Sequence, residues 1–382
     1  MRYAYQQICL DPLKPVRQYG HSCQVDPVSE VHDHLCGRIL AFEDENMLFV
    51  NVSVDLLGID YVVTQKLEER LNSEHDKPVH LVISATHTHY AGDTRIEEYR
   101  QQCLEQIYEG ISSLQFKEGQ LSATYKSVEF EGVGTSRITG HKALVLLNLI
   151  QIYDGDEEVV DIINHNCHPT VLSAEKTHFF SSEYVGYALS RLHDLDGLDY
   201  TFLQGAAGDV STRFTRKGQQ YRDVEDLGEK LVEKVSWLKQ QPAERKPLTL
   251  AYQQKMIEPT YDLTPIDVSL LPDNLSEREL YTISLGKGAR TELIAHPERW
   301  QRSLLISQLD LGLVRIIFAP NEFFSYYLSV LDTSKAFLVC YSNGYSPYVA
   351  PLDQLIYTYE TFTDILSRDT KQEIVDTLKS FN

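Results

Sequence analysis

The cysteines of this chain lack any pattern. The six (Cys9, Cys23, Cys36, Cys103, Cys167 and Cys340) form no Cys-x-x-Cys pair and keep no regular spacing. An even number allows disulfides, but in a chain of 382 residues buried free thiols are the expectation. No uninterrupted apolar run approaches the ~20 residues of a membrane span. Positive charge is also scarce. With 35 Lys and Arg against 55 Asp and Glu the net charge is -20, which argues against a nucleic-acid partner. No basic cluster is dense enough to offset that charge at an anionic membrane surface. Met1-Arg2-Tyr3-Ala4-Tyr5-Gln6-Gln7 has no apolar signal-peptide core, so a soluble cytoplasmic protein is expected. Repeats, low-complexity segments and obvious linkers are missing too.

What is present is ordinary globular material, 42% hydrophobic and 24% charged, enough for a sizeable core. Residues 1 to 37 read as loop-rich. Arg38 to Phe42 and Met47 to Val54 read as a hairpin turning at Glu43-Asp44-Glu45-Asn46. Helical spacing runs from Leu56 to Asn72 and from Arg95 to Leu114. Leu121 to Phe130, Ala143 to Tyr153 and Val159 to Ile163 read as strands, and Pro247 to Met256 as another. A second hairpin is expected from Ser303 to Phe318, then a helix from Asn321 to Leu331 and a helical tail from Glu360. This alternation predicts an α/β fold: one large domain, 1–382, with a mixed central sheet flanked by helices.

The chemistry gathers where apolar runs end. Val79 to Ala85 runs into Thr86-His87-Thr88-His89-Tyr90. Val159 to Ile163 runs into Asn164-His165-Asn166-Cys167-His168-Pro169-Thr170. Phe202-Leu203 runs into Gly208-Asp209-Val210-Ser211. Val314 to Phe318 runs into Pro320-Asn321-Glu322, and Phe337 to Cys340 into Asn343-Gly344-Tyr345-Ser346-Pro347-Tyr348. Ligands in α/β proteins bind beyond the carboxyl ends of strands. If these strands share one orientation, their loops bring His, Ser, Glu and Tyr into one crevice. Imidazoles there are natural ligands for zinc or another transition metal. Each residue also has a plainer role open to it. Ser211 suits a helix cap, Glu322 a helix N-terminus, and either histidine a satisfied loop. His32-Asp33-His34 is a second metal-like cluster, but no apolar run delivers it, so a solvated or structural role is expected. Gly20, in Gln18-Tyr19-Gly20-His21, suits a close approach of backbone to a ligand.

Taken in order, these motifs resemble the catalytic domain of the neutral/alkaline, non-lysosomal ceramidases. Ala85-Thr86-His87-Thr88-His89, His168-Pro169-Thr170, Gly208-Asp209-Val210-Ser211, Pro320-Asn321-Glu322-Phe323 and Asn343 to Tyr348 are similar to that family's motifs across nearly the whole chain. The resemblance implies a zinc amidase that cleaves the N-acyl bond of ceramide, a small-molecule substrate. It implies Zn2+ on His87, His168, Glu322 and Tyr348, with Ser211 as nucleophile or positioning group and His89 as a catalytic histidine beside the metal. Gly20, Arg137 and Tyr359 match substrate-contacting positions. The family's C-terminal β-sandwich is not expected in this chain.

Three loops depart from the family. Tyr90-Ala91-Gly92-Asp93 stands for its Ser-Gly-Pro-Gly, Thr212-Arg213 for its Pro-Asn after the serine, and Asn321 for a glycine. These loops would shape the pocket, so amide chemistry is expected with a substrate other than long-chain ceramide. Hydrolysis of a non-lipid amide or ester, and a non-catalytic ligand-binding relative, are the alternatives.

Overall fold

The computed structural model describes residues 1–382 except 22–25, 268, 270, 272–274, 298–299, 301, 353–356 and 382. Three sheets carry the chain. In the first, Arg2–Cys9, Cys36–Glu43 and Leu48–Val54 run antiparallel in sequence neighbours, and Val79–Ala85 joins parallel to Leu48–Val54. The second is built from Leu121–Glu129, Leu146–Asp154 and Glu157–His165, with Asp199–Gln204 parallel to the last. The third sets Ala251–Ile257, Leu304–Asp310 and Arg315–Phe318 antiparallel, and Ala336–Val339 parallel to Arg315–Phe318. Each sheet thus ends in a parallel pair. Parallel strands need helical crossovers, here Tyr61–Glu74, Glu183–Asp196 and a short 3-10 turn at Ser325–Val330.

Those parallel edges meet. Ala85 N donates to Tyr341 O and Asn343 N to Ile83 O, while Cys340 N donates to Gln204 O. Ser53 Oγ crosses to Phe202 O at 2.5 Å, one of several buried polar groups that fix sheet to sheet. The strands are buried on both faces, and so they read as continuous apolar runs rather than as alternation. Helices Glu183–Asp196 and Tyr221–Lys239 cover the second sheet, and Glu97–Ser112 packs on the first.

The mixed α/β architecture agrees with the sequence reading, with the mixed sheet divided in three. Both hairpins form. Two expectations are corrected. Arg2–Cys9 is a strand in a region read as loop, held by eight consecutive pairings with Cys36–Glu43. Asn321 to Leu331 is not one helix: Asn321–Phe323 pairs parallel with Ser346–Val349, and only Ser325–Val330 coils. Asp209 accepts from Ser325 N and Oγ and ends the strand there. Cys36, Cys103, Cys167 and Cys340 are buried free thiols, Cys9 is an exposed one, and Cys23 lies outside the described residues. No helix among the described residues is long and apolar enough to cross a membrane.

Candidate metal centre and substrate cavity

His87 leaves the end of Val79–Ala85 with a φ of +68°, a left-handed conformation that a non-glycine residue adopts only when its surroundings impose it. Its N–H donates to Leu56 O, and the preceding Thr86 Oγ1 donates to buried Asp55. Asp55 also receives Cys36 N and both hydrogen bonds of the buried Arg38 guanidinium. His87 Nδ1 lies 2.7 Å from Leu57 O. A carbonyl only accepts, so Nδ1 carries the proton and Nε2 presents a lone pair. His168 repeats the device, with Nδ1 2.7 Å from Ala207 O.

The two free lone pairs converge on Glu322. Its Oε2 lies 3.6 Å from His87 Nε2 and 3.2 Å from His168 Nε2. All three atoms are buried and lack a hydrogen-bond partner. Burial, against the pull of Glu322, lowers the His87 imidazole to about 3, so the ring is neutral near pH 7. Burial pushes the Glu322 carboxyl up, and the hydrogen bond it accepts from Tyr345 pulls it down. Two imidazole lone pairs and a carboxylate aimed at one another repel unless a cation lies between them. This donor set fits a metal ion, and its N and O atoms suit zinc. His89 belongs to the same group: single ligand atoms of His87, His89 and His168 all lie within 4.8 Å of one another.

Glu322 Oε1 accepts from Tyr345 Oη at 2.6 Å. Tyr348 is the register partner of Glu322 across the short parallel pair, so both side chains leave one face. Its hydroxyl accepts from Arg137 Nη2 at 3.1 Å. Arg137 is fixed further by Gly208 O and by an ion pair with Glu360 at 3.1 Å. Ser211 hydrogen-bonds through its Oγ to Arg213 N, the cap expected of it, and is bridged to His168. Tyr359 packs its ring edge-on to Tyr348.

These groups line one cavity of about 1070 Å³, whose wall includes Gly20, His89, Arg137, Ser211, Glu322, Tyr348 and Tyr359. His87 and His168 lie behind that wall. Gly20 has a φ of +142°, and a Cβ there would lie 2.6 Å from His89 Nδ1; its carbonyl accepts from that nitrogen at 3.2 Å. So Gly20 bears on His89 as well as on the cavity. By the same tautomer argument, His89 Nε2 is a buried lone pair without a partner.

The structure therefore brings together the nine residues that the resemblance marks as site positions. It also adds three that sequence reasoning did not assign. The Tyr341 ring stacks on His87 at 3.9 Å between centroids. His21 lies against His89 at 4.7 Å, and burial, with Arg216, lowers it to about 4. Asp55 underpins Thr86. His21 was legible in principle, since it follows Gly20; the other two depend on long-range pairing. In the His32-Asp33-His34 cluster Asp33 accepts from Ser182 and His34 pairs with Asp11. His165, near His168 in sequence, instead hydrogen-bonds Leu146 O and packs on Phe130.

No family profile and no curated protein sequence matches this chain. Solved structures do. Neutral ceramidase from Pseudomonas aeruginosa matches at a TM-score of 0.78 and 16% identity, covering 100% of this chain and 73% of its own. A ceramidase complexed with C2 matches at 0.78 and 16%, covering 100% and 74%. The chain has the ceramidase fold.

Proposed function

We propose that this protein is a zinc-dependent amidohydrolase that cleaves an N-acyl amide, with His87, His168, Glu322 and Tyr348 as the metal ligands. The observation that carries the reading is the trio of buried, partnerless acceptors, His87 Nε2, His168 Nε2 and Glu322 Oε2, behind a cavity edged by Ser211. The likeness of the fold to proteins described as ceramidases supports amide hydrolysis. Zinc, when bound, supplies Lewis acidity that polarises a carbonyl and makes water a nucleophile near neutral pH.

The chain's own residues supply the rest. Arg137 holds the Tyr348 hydroxyl in place. His89 Nε2 takes the proton of the attacking hydroxyl, whether from water or from Ser211, and returns it to the leaving amine nitrogen as the C–N bond breaks; on the Ser211 route a water then cleaves the acyl–serine ester and the proton returns to Ser211. The Gly20 carbonyl keeps His89 in the tautomer this requires. Tyr345 restrains the Glu322 carboxylate.

The altered loops support a substrate other than long-chain ceramide. Asp93, in the loop after His89, pairs with Arg17 and Arg95, and Ala91 O accepts from Tyr19 N. That loop therefore sets the position of the segment carrying Gly20. Turnover of a panel of N-acyl amides, with and without a chelator, tests the reading. Chelator-sensitive release of the amine is expected, with long-chain ceramide a poor substrate. Robust ceramide turnover would overturn the substrate assignment, and chelator-insensitive turnover the role of the metal.

A further inference from the structure

The rim of the cavity is basic in a protein that is strongly acidic. Arg213, Arg216 and Arg278 line it together with Arg137. Arg137 has a carboxylate partner in Glu360. The other three have no carboxylate oxygen within 4.0 Å among the described residues, although the chain holds 55 acidic side chains. They crowd one another as well. Burial, then the charge of Arg278, lowers Arg213; burial lowers Arg216 too, against Tyr90 and Glu183 and with a smaller push from Arg278. Arg213 and Arg216 are half-buried and held from behind: Arg213 donates to Arg137 O, and Arg216 to Thr170 O and Val171 O. Arg278 is exposed in the first turn of helix Glu277–Ala295, where the helix dipole disfavours a cation. The carboxylates that line the cavity are already engaged, Glu279 by the Ser276 cap, Glu360 by Arg137 and Glu322 by Tyr345.

Like charges gathered on one rim with no carboxylate in contact are costly unless an anion completes them. Ile138, Leu172, Leu275 and Leu285 give the same cavity an apolar wall suited to an acyl chain. That leaves the arginines for the other half of the substrate. We infer that the preferred substrate is an N-acyl amide whose amine half bears an anionic group, a carboxylate or a phosphate, received by Arg213, Arg216 and Arg278. The inference rests on the hydrolase reading for turnover, but the recognition it describes is a binding property.

Calorimetry on the full chain separates the two. N-octanoylglycine is compared with N-octanoylglycinamide, and N-octanoyl phosphoethanolamine with N-octanoylethanolamine. In at least one pair the anionic member should bind tenfold or more tightly, with a preference that weakens as salt rises. The pair showing it identifies carboxylate or phosphate. Arg278→Gln should cut that preference severalfold, and Arg278→Lys should keep most of it. Arg278 is exposed, so neither change threatens the fold. Equal binding of charged and neutral members in both pairs would overturn the inference, as would a preference untouched by Arg278→Gln. If the anionic amides bind selectively and none is cleaved, the hydrolase reading fails and the anion site stands.

Discussion

His87 concentrates the argument at the scale of single residues. It holds a left-handed backbone, a proton fixed on Nδ1 by Leu57 O, and an Nε2 with no donor to meet. Replacing it by alanine should abolish tight metal binding, whereas His89→Ala should weaken it less; metal retained after dialysis against a chelator distinguishes the two. The neighbouring tyrosines pose a sharper choice. Tyr345 donates to Glu322, while Tyr348 shares its face and accepts from Arg137. Tyr348→Phe should lose metal affinity or turnover severely, and Tyr345→Phe should mainly change KM. The reverse pattern would move the fourth ligand to Tyr345. Gly20 offers a steric test. In Gly20→Ala the new methyl meets the His89 ring and an unfavourable φ, so kcat should fall by roughly ten- to a hundredfold with metal content unchanged. A full-speed variant would separate Gly20 from the placement of His89.

At the scale of elements, two supports should carry measurable stability. Asp55 binds Arg38, Cys36 N and Thr86 where strand Leu48–Val54 ends. Asp55→Ala leaves a buried guanidinium unpaired and should cost about 3–5 kcal/mol in denaturant unfolding, with weaker metal binding. Glu183 opens helix Glu183–Asp196 and accepts from Val171 N and Leu172 N, while burial raises its carboxyl to about 7 from an ordinary 4.5. The folded state then holds more protons than the unfolded one between those values. Stability from this group therefore falls as pH rises from about 4.5 to 7 and is level above. Glu183→Gln should stabilise the protein at pH 8 by on the order of 3 kcal/mol and match the parent near pH 4. A gain independent of pH would assign the effect to something other than ionisation. These supports also mark where the sequence stopped being legible. Runs such as Val79 to Ala85 announced strands and their reactive exits, because burial on both faces leaves continuous apolar residues. Asn321–Phe323 did not. Three residues carry no period, and the strand exists only because Ser346–Val349 lies beside it.

For the whole molecule, the decisive feature is that three sheets each end in a parallel pair and those pairs meet at Ile83 to Ala85, Gln204 and Cys340 to Asn343. Loops separated by more than two hundred residues thereby supply one buried donor set. The order of the motifs was readable from the chain. The joining of the sheets was not, because it rests on backbone hydrogen bonds between distant segments and on side chains such as Asn343, which bonds Ile83 N and Leu81 O. A metal held by those loops binds the folded state alone, so it should raise Tm in proportion to the logarithm of free metal. Elemental analysis of protein purified without added metal is the most direct test of the central claim. The account predicts about one zinc per chain in the parent, and loss of it in both His87→Ala and His168→Ala. A folded parent protein that carries no transition metal and fails to bind added zinc would contradict it.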